Sequence, residues 1–264
     1  MGLAAQMYTV RDFTHTASGF VQTVEAIAAI GYEAVQLSAV GAMNGDAPEV
    51  TAIQARKILD ESGLKCIATH RNWDDLVYKT EAEIDFHQTL GCNFAAIGGL
   101  PQRYSERGAD GYRAWLADAQ PVIRELKAAG IAFGYHNHAH EFQRIGSADD
   151  PCRTLFDIFI QEGCPDLMLE IDVYWVQHSG YNPVRILDRC HDRVPVIHIK
   201  DKEVVQGDGP VMAPIGEGNL DWQQILSACI MAGVEWYAVE QDVCRRDPFD
   251  CLRSSYEYLV GQGL

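Results

Sequence analysis

The stretch LKAAGIAFGYHNHAHE, residues 126–141, contains the signals that decide the fold. Gly130 follows a long amphipathic segment and can adopt the left-handed conformation that ends a helix. The apolar run Ala132–His136 is typical of a buried parallel strand. Three imidazoles and a carboxylate then fall within residues 136–141. A helix, a strand and a polar loop in this order predict one unit of an α/β protein with a parallel sheet.

Outward from this stretch, the same succession of helix and strand recurs along the chain. Short runs rich in Val, Ile, Tyr and Phe alternate with longer amphipathic segments, which predicts eight βα units. The predicted strands are Leu3–Tyr8, Ala34–Leu37, Lys65–His70, Phe94–Ile97, Ala132–His136, Leu167–Asp172, Val194–Ile199 and Trp236–Glu240. Eight such units close naturally into a (β/α)8 TIM barrel, predicted here as a single domain over residues 1–264.

Caps and glycines predict the helix boundaries. Ser18 can cap a first helix that ends at Gly31, and a second helix is expected from about Pro48 to Ser62. Three more helices end before glycines, namely Glu81–Leu90, Tyr112–Ala129 and Asp221–Ala232. The loop PIGEGNLDW, residues 214–222, is expected to turn tightly and to supply Asn219 or Asp221 as a helix cap.

An open, doubly wound sheet is the alternative arrangement of alternating strands and helices. That fold commonly carries a G-x-G-x-x-G sequence after a strand, and this chain has none. A Walker A sequence and a G-x-S-x-G sequence are also missing from the chain. The barrel is therefore the preferred prediction.

Composition narrows the classes of partner. The formal net charge of −16 would repel a phosphate backbone, so nucleic acid is disfavoured. The eight cysteines lack C-x-x-C pairing and are expected to be reduced and mostly buried. The opening MGLAAQMYTVRD does not resemble a signal peptide, and no apolar run approaches the roughly 20 residues of a membrane span. We expect a cytoplasmic protein without a membrane partner.

Catalytic groups of a parallel barrel stand at the carboxyl ends of the strands. The last four predicted strands end in, or are followed closely by, carboxylates and imidazoles. We predict a metal site formed by Glu141, Asp172, His198 and Glu240. Mixed oxygen and nitrogen ligands suit one divalent ion, which could be Mn, Mg, Co, Fe or Zn.

Other polar side chains are candidates for substrate contact. Side chains alternate along a strand, so Lys200 shares a face with His198 and could approach substrate oxygens. The same-parity imidazoles of His136, His138 and His140 need partners if they are buried. Arg11 could bind a hydroxyl or phosphate. Four aromatic residues near strand ends could stack on a sugar or form a subunit contact: Tyr8, Trp73, Tyr174 and Trp175.

At these residues the chain resembles the sugar phosphate isomerase/epimerase superfamily. These are xylose isomerase-like barrels that also include endonuclease IV, inosose dehydratase and ketose 3-epimerases. The resemblance covers nearly the whole chain and depends on the segments AQMYTVRD, YHNHAHEF, LEIDVYW, VIHIKD, PIGEGNLDW and YAVEQD. It implies the same metal-binding quartet of Glu141, Asp172, His198 and Glu240. It also implies that His70, in IATH, faces the pocket.

The resemblance implies proton abstraction next to the carbonyl of a sugar or cyclitol. The candidate bases are Glu141, Glu240, His138 and His140, and we favour Glu240 or a strand-five histidine. The remaining predicted substrate contacts are His70, His136, Lys200, Trp175 and Arg11. Return of the proton to the substrate would make the protein an isomerase or epimerase.

Three alternatives remain open. Because His136-Asn137-His138 precedes Glu141, strand five is closer to inosose dehydratases or to lyases that act on 3-keto glycosides. A nuclease similar to endonuclease IV ranks lower because the chain is acidic, with a pI near 4.8. The last alternative is a sugar-binding barrel without catalysis. A homo-oligomer is compatible with the aromatic residues expected on loops.

Overall fold

The protein is described by a computed structural model that covers residues 1–146 and 153–264. Its strands are β1 (Gly2–Gln6), β2 (Ala34–Leu37), β3 (Lys65–His70), β4 (Phe94–Ile97), β5 (Ala132–His136), β6 (Leu167–Glu170), β7 (Val196–Ile199), β8 (Asp201–Val205), β9 (Gly209–Ala213) and β10 (Trp236–Val239). Its α-helices are α1 (Ala17–Ile30), α2 (Ala52–Glu61), α3 (Trp73–Tyr78), α4 (Thr80–Leu90), α5 (Gln102–Ser105), α6 (Gly108–Ala128), α7 (Phe156–Gln161), α8 (Val173–His178), α9 (Pro183–Asp188), α10 (Trp222–Met231) and α11 (Pro248–Gly261).

Eight parallel strands form a nearly closed barrel that the helices surround. The order of hydrogen-bonded strands is β6-β5-β4-β3-β2-β1-β10-β7. Between β6 and β7, a parallel bridge joins Asp172 to His198, and the His198 amide donates to the Ile171 carbonyl at 2.8 Å. The predicted TIM barrel fold is confirmed.

Several predicted strand ends need correction by one or two residues. The first strand ends at Gln6, because a 3-10 turn begins at Met7 and the Gln6 side chain accepts from the Tyr8 amide. Pro195 has no N–H to donate to a ladder, and β7 begins after it. Strand β6 ends at Glu170, two residues before the predicted end at Asp172. Strand β10 ends at Val239, one residue before the predicted end at Glu240.

The first two helices are capped by threonines. Thr16 caps α1, so the predicted cap Ser18 lies inside the helix. Thr51 caps α2 in a capping box with Gln54, and the helix therefore starts later than Pro48. Gly31, which follows α1, has a φ of +122° that a residue with a side chain rarely adopts.

A two-stranded hairpin was not predicted. Strand β8 follows β7 after one residue and pairs antiparallel with β9, from Asp201 opposite Ala213 to Val205 opposite Gly209. Gly207 in the connecting turn and Gly209 at the start of β9 have positive φ. The sequence signal was weak because neither strand shows the long apolar run that marked the barrel strands.

The barrel interior is apolar near the amino ends of the strands. A separate cluster of mostly small side chains fills this part, including Ala4, Ala34, Ala68, Ala96, Val196 and Ala238. Gly134 belongs to the same level, where a Cβ atom would lie only 2.5 Å from the Phe94 ring. The position two residues later on most of these strands is polar, which places a polar layer directly above this apolar plug.

Two further features bear on the sequence predictions. Within residues 1–146 and 153–264, no helix is both long and apolar enough to cross a lipid bilayer. Seven cysteines in this part of the chain are free thiols, and most are buried. Cys152, which was included in the prediction, lies outside the described residues.

Candidate active site

The polar layer is built from side chains that point into the barrel at the carboxyl ends of its strands. The buried members are Gln6, Gln36, His136, Glu170, Asp172, His198, Lys200 and Glu240. His70 joins them from β3 with a partly exposed ring. The layer lies at the end of the barrel where the βα loops converge, which is the usual place for an active site in this fold.

Glu170 is at the centre of a group of imidazoles. Its Oε2 atom lies 2.5 Å from His70 Nε2, 3.2 Å from His198 Nε2 and 3.3 Å from His136 Nδ1. Its Oε1 atom accepts from Gln36 Nε2 at 2.9 Å. Four residues from four strands, His70, His136, Glu170 and His198, thus offer ligand atoms within 4.8 Å of one another.

A second group surrounds the buried Lys200 ammonium. Lys200 Nζ lies 2.7 Å from Glu240 Oε2, 2.7 Å from Asp242 Oδ1 and 3.0 Å from Asp172 Oδ2. The ammonium donates a hydrogen bond to Asp242, and its contacts with Glu240 and Asp172 are ion pairs. His198 links the two groups because its Nδ1 lies 2.7 Å from Glu240 Oε2.

Glu141 belongs to a third group. Its carboxylate accepts from the Tyr135 hydroxyl at 2.6 Å and from the His138 backbone N–H at 2.9 Å. His140 Nε2 lies 3.0 Å from the same carboxylate, on the exposed side. The side chain of Glu141 is fully buried and holds the end of β5 to the 3-10 turn at His140–Phe142.

A cavity of about 220 Å³ opens on the first two groups. Its lining is polar except for Tyr8 and Gly98, and consists of Gln6, Tyr8, Ser38, His70, Gly98, His136, His138, Lys200, Glu240 and Asp242. His138 stands at one wall, where its ring is 4.9 Å from that of His136 and 5.7 Å from that of Trp175.

The structure brings together three of the four predicted metal ligands. Asp172, His198 and Glu240 offer atoms within 4.8 Å of one another, whereas Glu141 is grouped with His138 and His140. Of the predicted bases, His138 and Glu240 line the cavity. Of the predicted substrate contacts, His70, His136 and Lys200 line it, and Arg11 and Trp175 do not.

Arg11 and the aromatic candidates have other contacts. The guanidinium of Arg11 lies 4.1 Å from the Tyr8 ring centroid and donates to the Tyr8 and Asp242 carbonyls. Tyr8, which the guanidinium covers, is the aromatic candidate that lines the cavity. Trp73 is buried against Trp115 and Phe133 in the core.

Sequence reasoning missed four polar residues of the site. Glu170 is two residues before Asp172 on one strand, so the period of two places both on the inward face. Gln6 is the last residue of β1 and Gln36 the last but one of β2, and they donate to Glu240 at 3.0 Å and to Glu170 at 2.9 Å. Asp242 follows Glu240 by the same two-residue step. The signal that could have found Gln6, Gln36 and Glu170 is a polar residue inside an apolar strand.

Burial and charge give these groups unusual acidities. Burial lowers the pKa of His138 to about 4, so its imidazole is neutral at physiological pH. Burial would also lower the pKa of His198, but the charges of Glu170 and Glu240 outweigh it and raise this pKa to about 10. Burial favours a raised pKa for Glu240, yet Lys200 and His198 hold it well below the usual range. Burial raises the pKa of Asp172 to about 6.

The donor chemistry of the layer fits a divalent cation. Three carboxylates, those of Asp172, Glu240 and Asp242, surround the Lys200 ammonium, and the Glu170 carboxylate lies among three imidazoles. Four carboxylates thus exceed the charges of Lys200 and the protonated His198, and such an excess is costly in a buried site. His136 Nδ1 and Asp172 Oδ2 are buried and make no hydrogen bond among the described residues. A divalent ion would reduce the excess charge and could engage such atoms.

Comparison with known proteins finds one family across most of the chain. Residues 24–244 match the profile of the xylose isomerase-like TIM barrel family. An inosose dehydratase from Lacticaseibacillus casei is 27% identical over 152 residues, a match that covers 50% of this chain and 48% of that protein. The chain therefore spans about half the length of the curated relatives that it matches.

Two solved structures show the likeness of fold. A sugar phosphate isomerase/epimerase from Parabacteroides distasonis ATCC 8503 has a TM-score of 0.79 at 22% identity, over 98% of this chain and 93% of that one. The IolI protein with a bound zinc atom has a TM-score of 0.70 at 13% identity, over 99% of this chain and 97% of that one. At these identities the likeness shows the barrel fold.

Proposed function

This chain belongs to the xylose isomerase-like TIM barrel family, and we propose that it is a divalent-metal-dependent isomerase or epimerase. Its substrate would be a sugar or a related polyhydroxy carbonyl compound. The observation that carries the proposal is the position of the His138 imidazole, which lines the same cavity as His70, His136 and Glu240 of the clusters of possible metal ligands. The ion, when bound, would polarise the substrate carbonyl.

His138 is the proposed base. It needs no prior loss of a proton at neutral pH, because burial already lowers its pKa to about 4. Glu240 is a weaker candidate because Lys200 and His198 stabilise its ionised form. Glu141 and His140 lie outside the cavity lining and bond to each other. His138 would take the proton next to the carbonyl and return it to the neighbouring carbon in an isomerisation. In an epimerisation a second group, for which Glu240 is the other predicted base that lines the cavity, would protonate the opposite face.

The cavity supports a small, hydroxylated substrate. A volume of about 220 Å³ admits a ligand of about one sugar or cyclitol ring, and its polar walls match hydroxyl groups. His70, His136 and Lys200 are the predicted contacts that line it. Since the Lys200 ammonium contacts three carboxylates, a substrate oxygen would share the ammonium with them.

A second candidate function is a lyase or dehydratase on an inosose or a 3-keto glycoside. The specific observation in its favour is the similarity to an inosose dehydratase over half of the chain. The first step is the same proton abstraction, after which His138 would pass the proton to a departing hydroxyl or glycosyl oxygen. The same residues therefore serve both reactions, and only the products distinguish them.

The proposal also includes the ligands and identity of the metal ion and the cellular compartment of the protein. The sequence-predicted ligand quartet of Glu141, Asp172, His198 and Glu240 remains a prediction, as does manganese as the metal. The free thiols of the described residues support a reducing compartment such as the cytoplasm.

Product analysis tests the proposed function. Protein stripped of metal, then reconstituted with Mn²⁺, Co²⁺ or Zn²⁺, is incubated with a panel of ketoses, inososes and 3-keto glycosides. We expect a new isomer, epimer or elimination product only with reconstituted protein. Loss of the product in a His138→Gln variant, but not in a variant with His191→Gln in the exposed turn after α9, would support the assigned base. A product that forms equally without metal would contradict the proposal.

A further inference from the structure

We propose that Cys244 and Cys251 form a reversible oxidation site, at which a hydroperoxide converts the two thiols into a disulfide. Cys244 lies in the segment between β10 and α11, and Cys251 is the fourth residue of α11. A side-chain hydrogen bond joins the two thiols. The site is separate from the residues that line the cavity, so it does not depend on the proposed sugar chemistry.

Exposure distinguishes this pair from a second pair of thiols in contact, Cys66 and Cys92. Both members of that second pair are buried between the barrel and its helices. Cys244 is instead partly exposed, while its partner Cys251 is buried behind it. A small oxidant dissolved in water can therefore reach the first pair through Cys244, and the second thiol is already in contact with the sulfur that reacts.

The contact prepares the pair for oxidation because one proton is shared between two sulfur atoms. The hydrogen bond with Cys244 lowers the pKa of Cys251 to about 7, although burial opposes the charge, and the nearby guanidinium of Arg246 also favours the thiolate. The same contact raises the pKa of Cys244. The pair therefore carries one negative charge near neutral pH, and the thiolate is the reactive form of cysteine.

The oxidation proceeds in two steps. The Cys244 sulfur attacks hydrogen peroxide while the Cys251 thiolate accepts its proton, so an S–O bond forms, the O–O bond breaks, and the departing hydroxide takes that proton and leaves as water. Cys244 has then lost two electrons and is a sulfenic acid. The Cys251 thiolate attacks this sulfur next, the S–S bond forms, the S–O bond breaks, and the hydroxide takes a proton from solvent. A dithiol reductant restores both thiols by exchange.

The backbone between the two cysteines has room to adjust to the disulfide, which requires the sulfur atoms to approach to about 2.05 Å. Residues 243–247 form neither a helix nor a strand, and most of them are exposed. Arg245 pairs with Glu203 and Arg246 with Glu217, and all four side chains are well exposed. Exposed ion pairs contribute little to stability, so they offer little resistance to a small movement of this segment.

The disulfide would act on the pocket through the segment that follows β10. Cys244 Sγ donates to the Gln241 carbonyl at 3.8 Å. The next residue, Asp242, lines the cavity and accepts from Lys200 Nζ at 2.7 Å. Oxidation removes the S–H donor and links the segment covalently to α11. We therefore expect the oxidised protein to hold residues 240–247 more rigidly beside the cavity.

Peptide mapping of the whole protein tests the site. Fully reduced protein is freed of reductant, treated with hydrogen peroxide at pH 7, denatured in the presence of N-ethylmaleimide and digested with trypsin. Trypsin cleaves after Arg245 and Arg246, so the peptides that contain Cys244 and Cys251 stay together only if a disulfide joins them. Tandem mass spectrometry distinguishes Cys244 from Cys229, which lies in the same tryptic peptide.

Three variants accompany the wild type, and circular dichroism confirms that each is folded. Cys244→Ser and Cys251→Ser each remove one thiol of the pair. Cys164→Ser removes a partly exposed thiol before β6 and is the matched control. Amide hydrogen exchange, followed by mass spectrometry, compares residues 240–247 in reduced and oxidised wild type. Mapping of the wild type reports the disulfide directly, even if a variant does not fold.

We expect wild type and Cys164→Ser to lose two thiols per chain to the Cys244–Cys251 bond, and a dithiol to restore them. In the other two variants the remaining cysteine of the pair should oxidise about tenfold more slowly, because few ordinary thiols are ionised at pH 7. Exchange of residues 240–247 should slow on oxidation. A wild type that yields no linked peptide would overturn the site, whatever the outcome for metal dependence. Unchanged exchange in a linked protein would overturn its effect on the pocket.

Discussion

Among the described residues, no carboxylate forms a hydrogen bond with the ring of His138, whereas the rings of His70 and His198 bond to Glu170 and Glu240. The neighbouring Glu141 instead accepts from the backbone N–H of His138, which fixes the residue and leaves the imidazole directed at the cavity. Burial therefore dominates and keeps the ring neutral. His198, between two carboxylates, has the opposite protonation. Two histidines in one pocket thus differ in charge because of their contacts.

A pH profile of substrate proton exchange tests the role of His138. Its pKa of about 4 lies below the ordinary value, and the active form is the deprotonated one, so the rate should hold as pH falls from 8 to 5. At pH 5 about nine-tenths of such imidazoles are still neutral, against about 3% for an ordinary pKa near 6.5. His138→Gln should lower the exchange rate about 10²–10⁴-fold. A rate that falls through pH 6.5, or survives the substitution, would contradict this role.

At the residue scale, the sequence predicts which strands of the second half end in polar side chains, but not which of these side chains contact one another. His198 and Glu240 could be placed because each ends an apolar run in the second half of the chain. The three carboxylates around Lys200 could not be foreseen, because the contact depends on how far the strands are staggered around the barrel. Glu141 was placed at the correct strand end, but the direction of its side chain depends on the Tyr135 hydroxyl.

At the scale of elements, the loop 214–222 is organised by one carboxylate. Asp201 accepts from the Gly216, Gly218 and Leu220 amides at 2.9, 3.1 and 3.2 Å, and from the Trp222 indole at 2.6 Å. A Cβ atom on Gly218 would lie 2.2 Å from Asp201 Oδ1, so that glycine allows the close approach. These hydrogen bonds give the loop a structural role and attach it to the hairpin that follows β7.

Substitution of Asp201 tests this organisation. In Asp201→Asn one oxygen acceptor becomes a donor that faces backbone N–H groups, so we expect the free energy of unfolding to fall by about 1–3 kcal/mol. Asp221→Asn is the matched control in the same loop, because asparagine caps helices as well as aspartate and Asp221 caps α10. Chemical denaturation measures both. Equal stability of the two variants would show that Asp201 does not hold the loop.

The eight barrel strands were predictable as elements, and the hairpin β8–β9 was not. Barrel strands are buried on both faces and appear as apolar runs, whereas most residues of β8 and β9 are partly buried or exposed. The predicted start of α1 was wrong because Thr16, and not the nearby Ser18, caps the helix. The errors therefore fall at element ends, where local hydrogen bonds decide.

At the scale of the whole molecule, the apolar packing of the barrel interior and its polar side chains lie at opposite ends of the strands. Small apolar side chains fill its amino end, and the buried charges of its interior lie at its carboxyl end. Concentration of like charge at one end is unfavourable without a cation. The chain also carries a formal net charge of −16, which adds a general repulsion. A bound divalent ion should therefore stabilise the whole fold.

Thermal unfolding with and without metal tests this coupling. An ion at about 100 times its dissociation constant adds about 2.7 kcal/mol to the free energy of unfolding. For a chain of this size that corresponds to a rise in Tm of roughly 5–10 °C. Sodium chloride at the same ionic strength is the control, because it screens the net charge without occupying the site. If both salts give the same Tm, no specific site stabilises the fold.

Incorporation of solvent deuterium most directly tests the claim that this pocket moves a proton next to a carbonyl. The substrate identified from the panel is incubated in D2O with metal-free and reconstituted protein, and NMR follows the hydrogen at the carbon beside the carbonyl. We predict that reconstituted protein exchanges this hydrogen and that metal-free protein does not. Product formed without any deuterium from solvent, or equal exchange in both samples, would contradict the account.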